Sequence, residues 1–172
     1  MQVHGALVEV LGVGVLLLGP SGVGKSETAL ELVARGHRLG ADDVVELFLD
    51  PSARLRGRAA ELIRHHLEIR GIGILFLPDL YGPGCVCDDA RVDLICQLEH
   101  WREDADYDRV GLTRATQDLL GCSVPSLLLP VRPSANMATL VEVAVRDHLQ
   151  RRVGPPAAAR LDERLRQRRP SP

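Results

Sequence analysis

The chain has 172 residues, enough for one domain with a sizeable core and no need of covalent staples. Hydrophobic residues make up 45% and charged residues 26%, an ordinary soluble balance, and a net charge of −2 gives no electrostatic footprint for nucleic acid. No apolar run reaches membrane-spanning length and no segment reads as a signal peptide, so a cytoplasmic protein is expected. Aromatics are only 3%, which leaves the core to Leu, Val, Ile and Ala. The four cysteines, Cys85, Cys87, Cys96 and Cys122, have no secretory context and no second Cys/His pair at a metal-site spacing, so they read as reduced thiols.

In chain order, Leu7 to Val10 and Val13 to Leu18 are apolar and β-prone, and the glycines at 12 and 14 predict a hairpin. Gly19 to Gly24 is a glycine-rich loop. Ser26 to Arg35 reads as a helix that buries Ala29, Leu30, Leu32 and Val33 and stops at Gly36. Leu39 to Ala41 is a short strand delivering Asp42 and Asp43, and Val44 to Leu49 is a second extended run. Glu61 to His66 reads as a short helix, Leu67 to Leu77 as strand and turn, and Pro78 to Asp89 as a loop. Val92, Leu94, Cys96 and Leu98 recur at every second position, which predicts a strand over Arg91 to Glu99. Asp104 to Asp108 is a polar loop. Val124 to Leu129 is a strand entered and left through Pro125 and Pro130. Asn136 to Arg151 is an amphipathic helix, Pro155 and Pro156 break it, and Ala157 to Arg168 forms a final basic helix before a disordered tail.

Gly19-Pro20-Ser21-Gly22-Val23-Gly24-Lys25-Ser26 matches G-x-x-x-x-G-K-[ST], with a strand before it and a helix after it. Glycines allow successive N–H groups to point into one concavity, and the helix adds its positive dipole end. Lys25 is placed to neutralise β- and γ-phosphates and Ser26 to put a hydroxyl on Mg²⁺. Phosphate transfer also needs a carboxylate near the metal and a group that orients the nucleophile. Asp42 and Asp43 end the next strand, beside the loop in a βαβ unit. Neighbours on an extended chain point to opposite sides, so these two divide the work unless the chain turns there. Glu68 and Arg70, two apart on a strand, share a face. Arg109 is a candidate phosphate-directed arginine. Composition and spacing leave each of these open to a plain surface role. Of the six histidines, all but His4 read as structural or exposed.

These motifs, in this order, resemble the catalytic C-terminal domain of the HPr kinase/phosphorylase family. The likeness starts at Val3-His4-Gly5 and runs through the phosphate loop into Glu27 to Leu32, Arg35 to Leu39 and Ala41-Asp42-Asp43. It continues through Leu67-Glu68-Ile69-Arg70-Gly71-Ile72-Gly73-Ile74, Leu98-Glu99, Trp101, Asp108-Arg109-Val110-Gly111, Pro130 to Pro133 and Val141 to Ala144. Roughly residues 3 to 165 are covered. The Glu-Ile-Arg-Gly-Ile-Gly-Ile stretch is specific to the family and the phosphate loop is not.

The resemblance implies an α/β fold, a P-loop core with a mixed sheet similar to the nucleotide-binding core of phosphoenolpyruvate carboxykinase, and therefore no standard Rossmann strand order. It implies ATP-dependent phosphorylation of a serine on the phosphocarrier protein HPr, reversed by phosphorolysis with inorganic phosphate to give pyrophosphate. It implies that Gly19, Pro20, Ser21, Gly22, Val23, Gly24, Lys25 and Ser26 hold the nucleotide, and that Ser26, Asp42 and Glu68 hold Mg²⁺. Asp43 is implied as the proton acceptor, with His4, Lys25 and Arg109 as the other catalytic positions, and Pro130 to Ala135 as the loop of the phosphorylase reaction. A homohexamer is implied, acting on no nucleic acid and no membrane. The expected organisation is one catalytic domain over residues 1–168, a tail at 169–172, and absence of the N-terminal domain of the family's long form.

One departure has a consequence. The family continues Pro-Val-Arg-Pro with Gly-Arg-Asn, whereas Ser134, Ala135 and Asn136 stand here, so an arginine is missing and weakened phosphorolysis is expected. Two rival functions fit the phosphate loop alone: a small-molecule kinase, which needs an arginine-rich lid that does not stand out, and a nucleotide-sensing regulator, which would keep Lys25 and Ser26 and lose the base.

Overall fold

A computed structural model describes residues 1–167. The expected tail at 169–172 and the last residue of the expected final helix, Arg168, lie outside that range.

Among the described residues eleven strands and four α-helices follow in order: β1 (Gln2–Val10), β2 (Val13–Leu18), α1 (Lys25–Ala34), β3 (Arg38–Ala41), β4 (Val44–Leu49), β5 (Leu55–Arg58), β6 (His66–Ile69), β7 (Gly73–Phe76), α2 (Leu77–Tyr81), β8 (Ala90–Arg91), β9 (Leu94–His100), β10 (Ala115–Leu119), β11 (Cys122–Val131), α3 (Met137–Val153) and α4 (Ala157–Gln167). The main sheet has the order β10-β11-β9-β2-β1-β4-β5-β8, with β3 also on β1. It is mixed: β2, β9 and β11 run parallel, while β1 is antiparallel to β2, β3 and β4. This is an α/β fold without Rossmann order, as expected. The unit β2–α1–β3 still crosses between strands of one direction, with β1 inserted between them. The ends of β2 and β3 therefore reach the same edge of the sheet, and that edge carries the site.

The central strands are buried on both faces. Val15 and Leu17 pack with Ala29, Leu32 and Val33 of α1 and Val141 and Val145 of α3, while Leu16 points the other way, toward Leu7, Val45, Leu47 and Ile95. Such strands read as continuous apolar runs rather than alternating ones. Helix α1 ends where expected. Gly36 takes φ +93°, His37 N–H donates to Leu32 O (3.1 Å) and Gly36 N–H to Val33 O (2.9 Å), a Schellman cap. Asn136 caps α3 by accepting from Thr139 N–H at 2.8 Å.

Several elements differ from the sequence expectation. The expected strand over Arg91 to Glu99 is two strands, because the chain bends at Asp93, which exchanges backbone and side-chain bonds with Gly14. Strand β11 passes through both Pro125 and Pro130 instead of being bounded by them. Strand and turn are found as the β6–β7 hairpin, and α2 begins at Leu77 and runs through Pro78 to Tyr81 into the expected loop. The expected helix at Glu61 to His66 is a single 3₁₀ turn, Glu61–Ile63. Strands β5 and β10 carry mostly polar residues and gave no periodic signal. Among the described residues, no helix is long and apolar enough to cross a membrane.

Candidate active site

Strand β2 ends at Leu18 and the chain wraps into the phosphate loop. Gly19 has φ +146°, and a Cβ there would stand 2.3 Å from Leu98 O on the neighbouring strand, so only glycine fits. Gly24 turns the chain into α1 at φ +100°, and its carbonyl accepts from Thr28 N–H and from the Thr28 hydroxyl. The N-terminus of this ten-residue helix faces the cavity with its partial positive charge. Lys25 Nζ donates to Gly19 O (2.8 Å) and Pro20 O (3.0 Å), which holds the ammonium over the loop it serves.

The two aspartates occupy different environments because the chain does turn between them. Asp43 has φ +65° and Val44 N–H donates to Asp42 O at 2.8 Å, a γ-turn with Asp43 at its centre. This is a sparsely populated conformation, and strain of this kind clusters at functional sites. Asp42 is buried, 6% exposed, and accepts the Ser26 hydroxyl on both carboxylate oxygens (2.9 and 3.0 Å). Burial pushes its carboxyl above the ordinary range, against the opposing effect of the Ser26 bond. Asp43 stands in the open, its side chain 68% exposed, with His4 Nδ1 3.3 Å away. His4 comes from β1, where it pairs with Val44.

Hairpin β6–β7 supplies the opposite wall. Glu68 N–H reaches Asp42 Oδ2 at 3.4 Å, and Arg70 Nη2 donates to Ser21 Oγ at 3.4 Å. The result is one cavity of about 480 Å³ lined by His4, most of the phosphate loop, Glu27, Asp42, Asp43, Glu68 and Arg70. Val23 lies outside it, buried against Leu98 and Met137, so its part in the loop is to anchor the backbone. Sequence reading left Arg70 without a role; its spacing from Glu68 on the strand was the signal.

Arg109 is not brought to this cavity. It lines a second one of about 490 Å³, together with Trp101, Tyr107, Arg132 and Ala135. There the Arg132 guanidinium lies 3.6 Å from the centre of the Trp101 ring, whose other neighbour is Tyr107 at 4.8 Å. The segment carrying Arg109 is strapped to α3: Arg151 donates to Gly111 O (2.5 Å) and Arg114 to Asp147 (2.5 Å). The cysteines stand away from both cavities, and burial pushes Cys87 up to about 11 and Cys96 up to about 12, which makes them poor nucleophiles.

A phosphate cradle, a buried carboxylate on the loop's serine, and an exposed carboxylate beside a histidine can bind a polyphosphate and take a proton from an incoming hydroxyl. The donor set Ser26, Asp42 and Glu68 is all oxygen, which suits a hard cation. Among the described residues no three acidic, His or Cys side chains converge into a closed metal cage. A magnesium site completed by phosphate oxygens needs only one or two carboxylates.

Known proteins carry the same arrangement of sequence. A protein named HPr kinase/phosphorylase from Caldanaerobacter subterraneus subsp. tengcongensis is 54% identical over 165 residues, covering 96% of this chain and 54% of the relative. One of that name from Bacillus licheniformis is 49% identical over 163 residues, covering 95% of this chain and 53% of the relative. The chain thus spans about half the length of the curated relatives it matches. The solved Hpr(Ser) kinase/phosphatase from Coxiella burnetii superposes with a TM-score of 0.82 at 32% identity, covering 90% of this chain and 93% of that one. The family described as HPr Serine kinase C-terminal domain matches residues 1–165, a span that holds both cavities and every residue assigned above. The chain belongs to the HPr serine kinase C-terminal domain family.

Proposed function

We propose that the chain is the catalytic unit of an enzyme that transfers the γ-phosphoryl group of ATP to a serine of HPr, and reverses the transfer by phosphorolysis. The observation that carries this reading is Asp43, an exposed carboxylate held by a strained turn at the mouth of a phosphate-loop cavity. A serine hydroxyl is a weak nucleophile and needs a positioned base, and Asp43 is the carboxylate an incoming protein can reach. Its proton acceptance in the forward direction becomes proton donation to the departing serine oxygen in reverse. His4, 3.3 Å away, orients that carboxylate.

Lys25 leaves the carbonyls of Gly19 and Pro20 for the β- and γ-phosphates, while loop N–H groups and the start of α1 receive their oxygens. Ser26, Asp42 and Glu68 would hold Mg²⁺, which neutralises charge on the phosphates when bound. Arg70, bonded to Ser21, adds a cation on the hairpin side. Arg109 lines the second cavity, so its proposed role as the arginine that neutralises the transferring group requires its segment to move to the phosphate loop in the working enzyme, and Arg109→Ala should then slow transfer without weakening nucleotide binding. The enclosed, polar acceptor pocket that a small-molecule kinase needs is not built here, since the mouth at Asp43 is open. Presence of Asp43 and Glu68 in one cavity sets the chain apart from a sensor lacking the base. The unit is proposed to work as a homohexamer, with no nucleic acid or membrane partner. Loss of the family arginine at Ala135 should leave phosphorolysis weaker than the forward reaction.

The test incubates the chain with labelled ATP, Mg²⁺ and HPr, scores phosphoserine, then adds inorganic phosphate and scores pyrophosphate. Asp43→Asn is a clean variant, because asparagine adopts positive φ as readily as aspartate and keeps the turn. It should lower transfer by about 10²–10⁴-fold with nucleotide affinity nearly unchanged. Transfer at the wild-type rate by this variant would remove Asp43 from the mechanism.

A further inference from the structure

The cavity continues on its hairpin side into an apolar strip. In the β6–β7 register Glu68 stands opposite Ile74 and His66 opposite Phe76, so these side chains share the outward face. Leu67, Ile69 and Leu75 point inward and pack on the core under α1. That inward face already satisfies the packing of the hairpin; outward, the Phe76 ring rests against His66 at 5.0 Å, while Ile72 and Ile74 are left without a structural task. Ile74 is 75% exposed and Ile72, at the turn, 70%. Large apolar residues grouped this way on a surface mark an interaction site.

We propose that Ile72, Ile74 and Phe76 form the seat on which the acceptor protein rests, through an apolar patch of its own beside the target serine. This rests on the reading above, that the acceptor is a protein serine. Position selects the occupant. Glu68 lines the catalytic cavity, and Ile74 is its direct cross-strand neighbour, with Cβ atoms about 5 Å apart. A serine delivered to the open carboxylate of Asp43 brings the body of its protein over this strip. Its polar side chains, Glu68 beside Ile74 and His66 beside Phe76, stand along one edge, and Ile72 and Ile74 themselves offer only apolar surface, which suits an apolar protein surface and not a small polar acceptor. A second copy of this chain seated there permanently would cap the mouth and keep the acceptor out, so the strip must be open in the working enzyme. A few apolar anchors next to the reacting group are enough to dominate such an encounter.

The experiment compares wild type with the double variant Ile72→Ser/Ile74→Ser. The expected result is a KM for HPr raised at least about tenfold, with the affinity for a fluorescent ATP analogue, the rate at saturating HPr and the sedimentation coefficient all unchanged. An independent arm keeps the kinase wild type and replaces the apolar residues flanking the serine of HPr with serine, which should raise KM to a similar degree. An unchanged KM in both arms overturns the proposal. So does a lowered sedimentation coefficient of the double variant, which would assign the strip to contacts between copies. If wild type transfers no phosphate to HPr, the functional reading fails and this inference falls with it; transfer by wild type with an unaltered KM in the variants sinks the strip alone.

Discussion

Asp42 and Asp43 show how one turn divides two identical side chains. The γ-turn at Asp43 sends one carboxylate inward to Ser26 and leaves the other at the cavity mouth. Burial raises the Asp42 carboxyl above its ordinary range, so ionising it is harder in the fold than in the open chain. A raised carboxyl detracts from stability once the pH exceeds the unfolded value, and it does so at neutral pH. Asp42→Asn is therefore expected to raise the thermal midpoint at pH 7 while weakening Mg²⁺-dependent nucleotide binding. Calorimetry with and without Mg²⁺-nucleotide checks both halves. Position alone marked Asp42 and Asp43 as candidates. Their separate environments were not legible, because a γ-turn with positive φ is rare and nothing local in an Asp-Asp pair calls for it.

At the scale of elements, the phosphate-loop helix is held from below and from its end. Leu32 is fully buried beneath α1, and Leu32→Ala is expected to cost about 2–5 kcal/mol in denaturant unfolding. At the far end Arg35 binds Glu31 (2.7 Å), Glu142 (2.8 Å) and Asn136 (3.0 Å), and His37 binds Glu142 (2.8 Å). This clamp joins α1 to the cap of α3, so the segment after Pro133 ends on the helix that begins at the phosphate loop. The Asn136 amide holds Glu31 below the usual carboxylate range, and the His37 bond, followed by Arg35, does the same for Glu142. Lowered carboxyls contribute stability above the unfolded value, about 4.3 for glutamate, and lose it as pH falls through the folded values. Acid unfolding should therefore steepen below about pH 4, and Arg35→Ala should flatten that dependence when melting is followed from pH 3 to 6. Helix α1 was legible because its stop at Gly36 and its buried face are both written in local residues. The clamp was not, since Arg35 and Glu142 are more than a hundred residues apart and exposed charges carry no periodic signal.

For the whole molecule, sheet order decides what stands next to the phosphate loop. Strand β1 lies between β2 and β3, so His4 arrives beside Asp43 from the start of the chain. Deleting residues 1–4 should therefore slow transfer as well as loosen β4, with nucleotide binding retained; transfer rates and ATP affinity of the truncated chain distinguish the two. The phosphate loop, the strand–helix frame around it and the class of chemistry followed from sequence alone, because glycine freedom, a lysine and a helix start act within eight consecutive residues. Family resemblance extended this to His4, Asp43 and Glu68. Only the tertiary structure decided that Asp43 is open and Asp42 closed, that Arg70 joins the cavity, and that Arg109 stands in a second one beside Trp101 and Arg132. Those outcomes depend on long-range pairing, in which β1, β3 and the β6–β7 hairpin converge at one sheet edge, and local residue patterns do not encode which strands will meet.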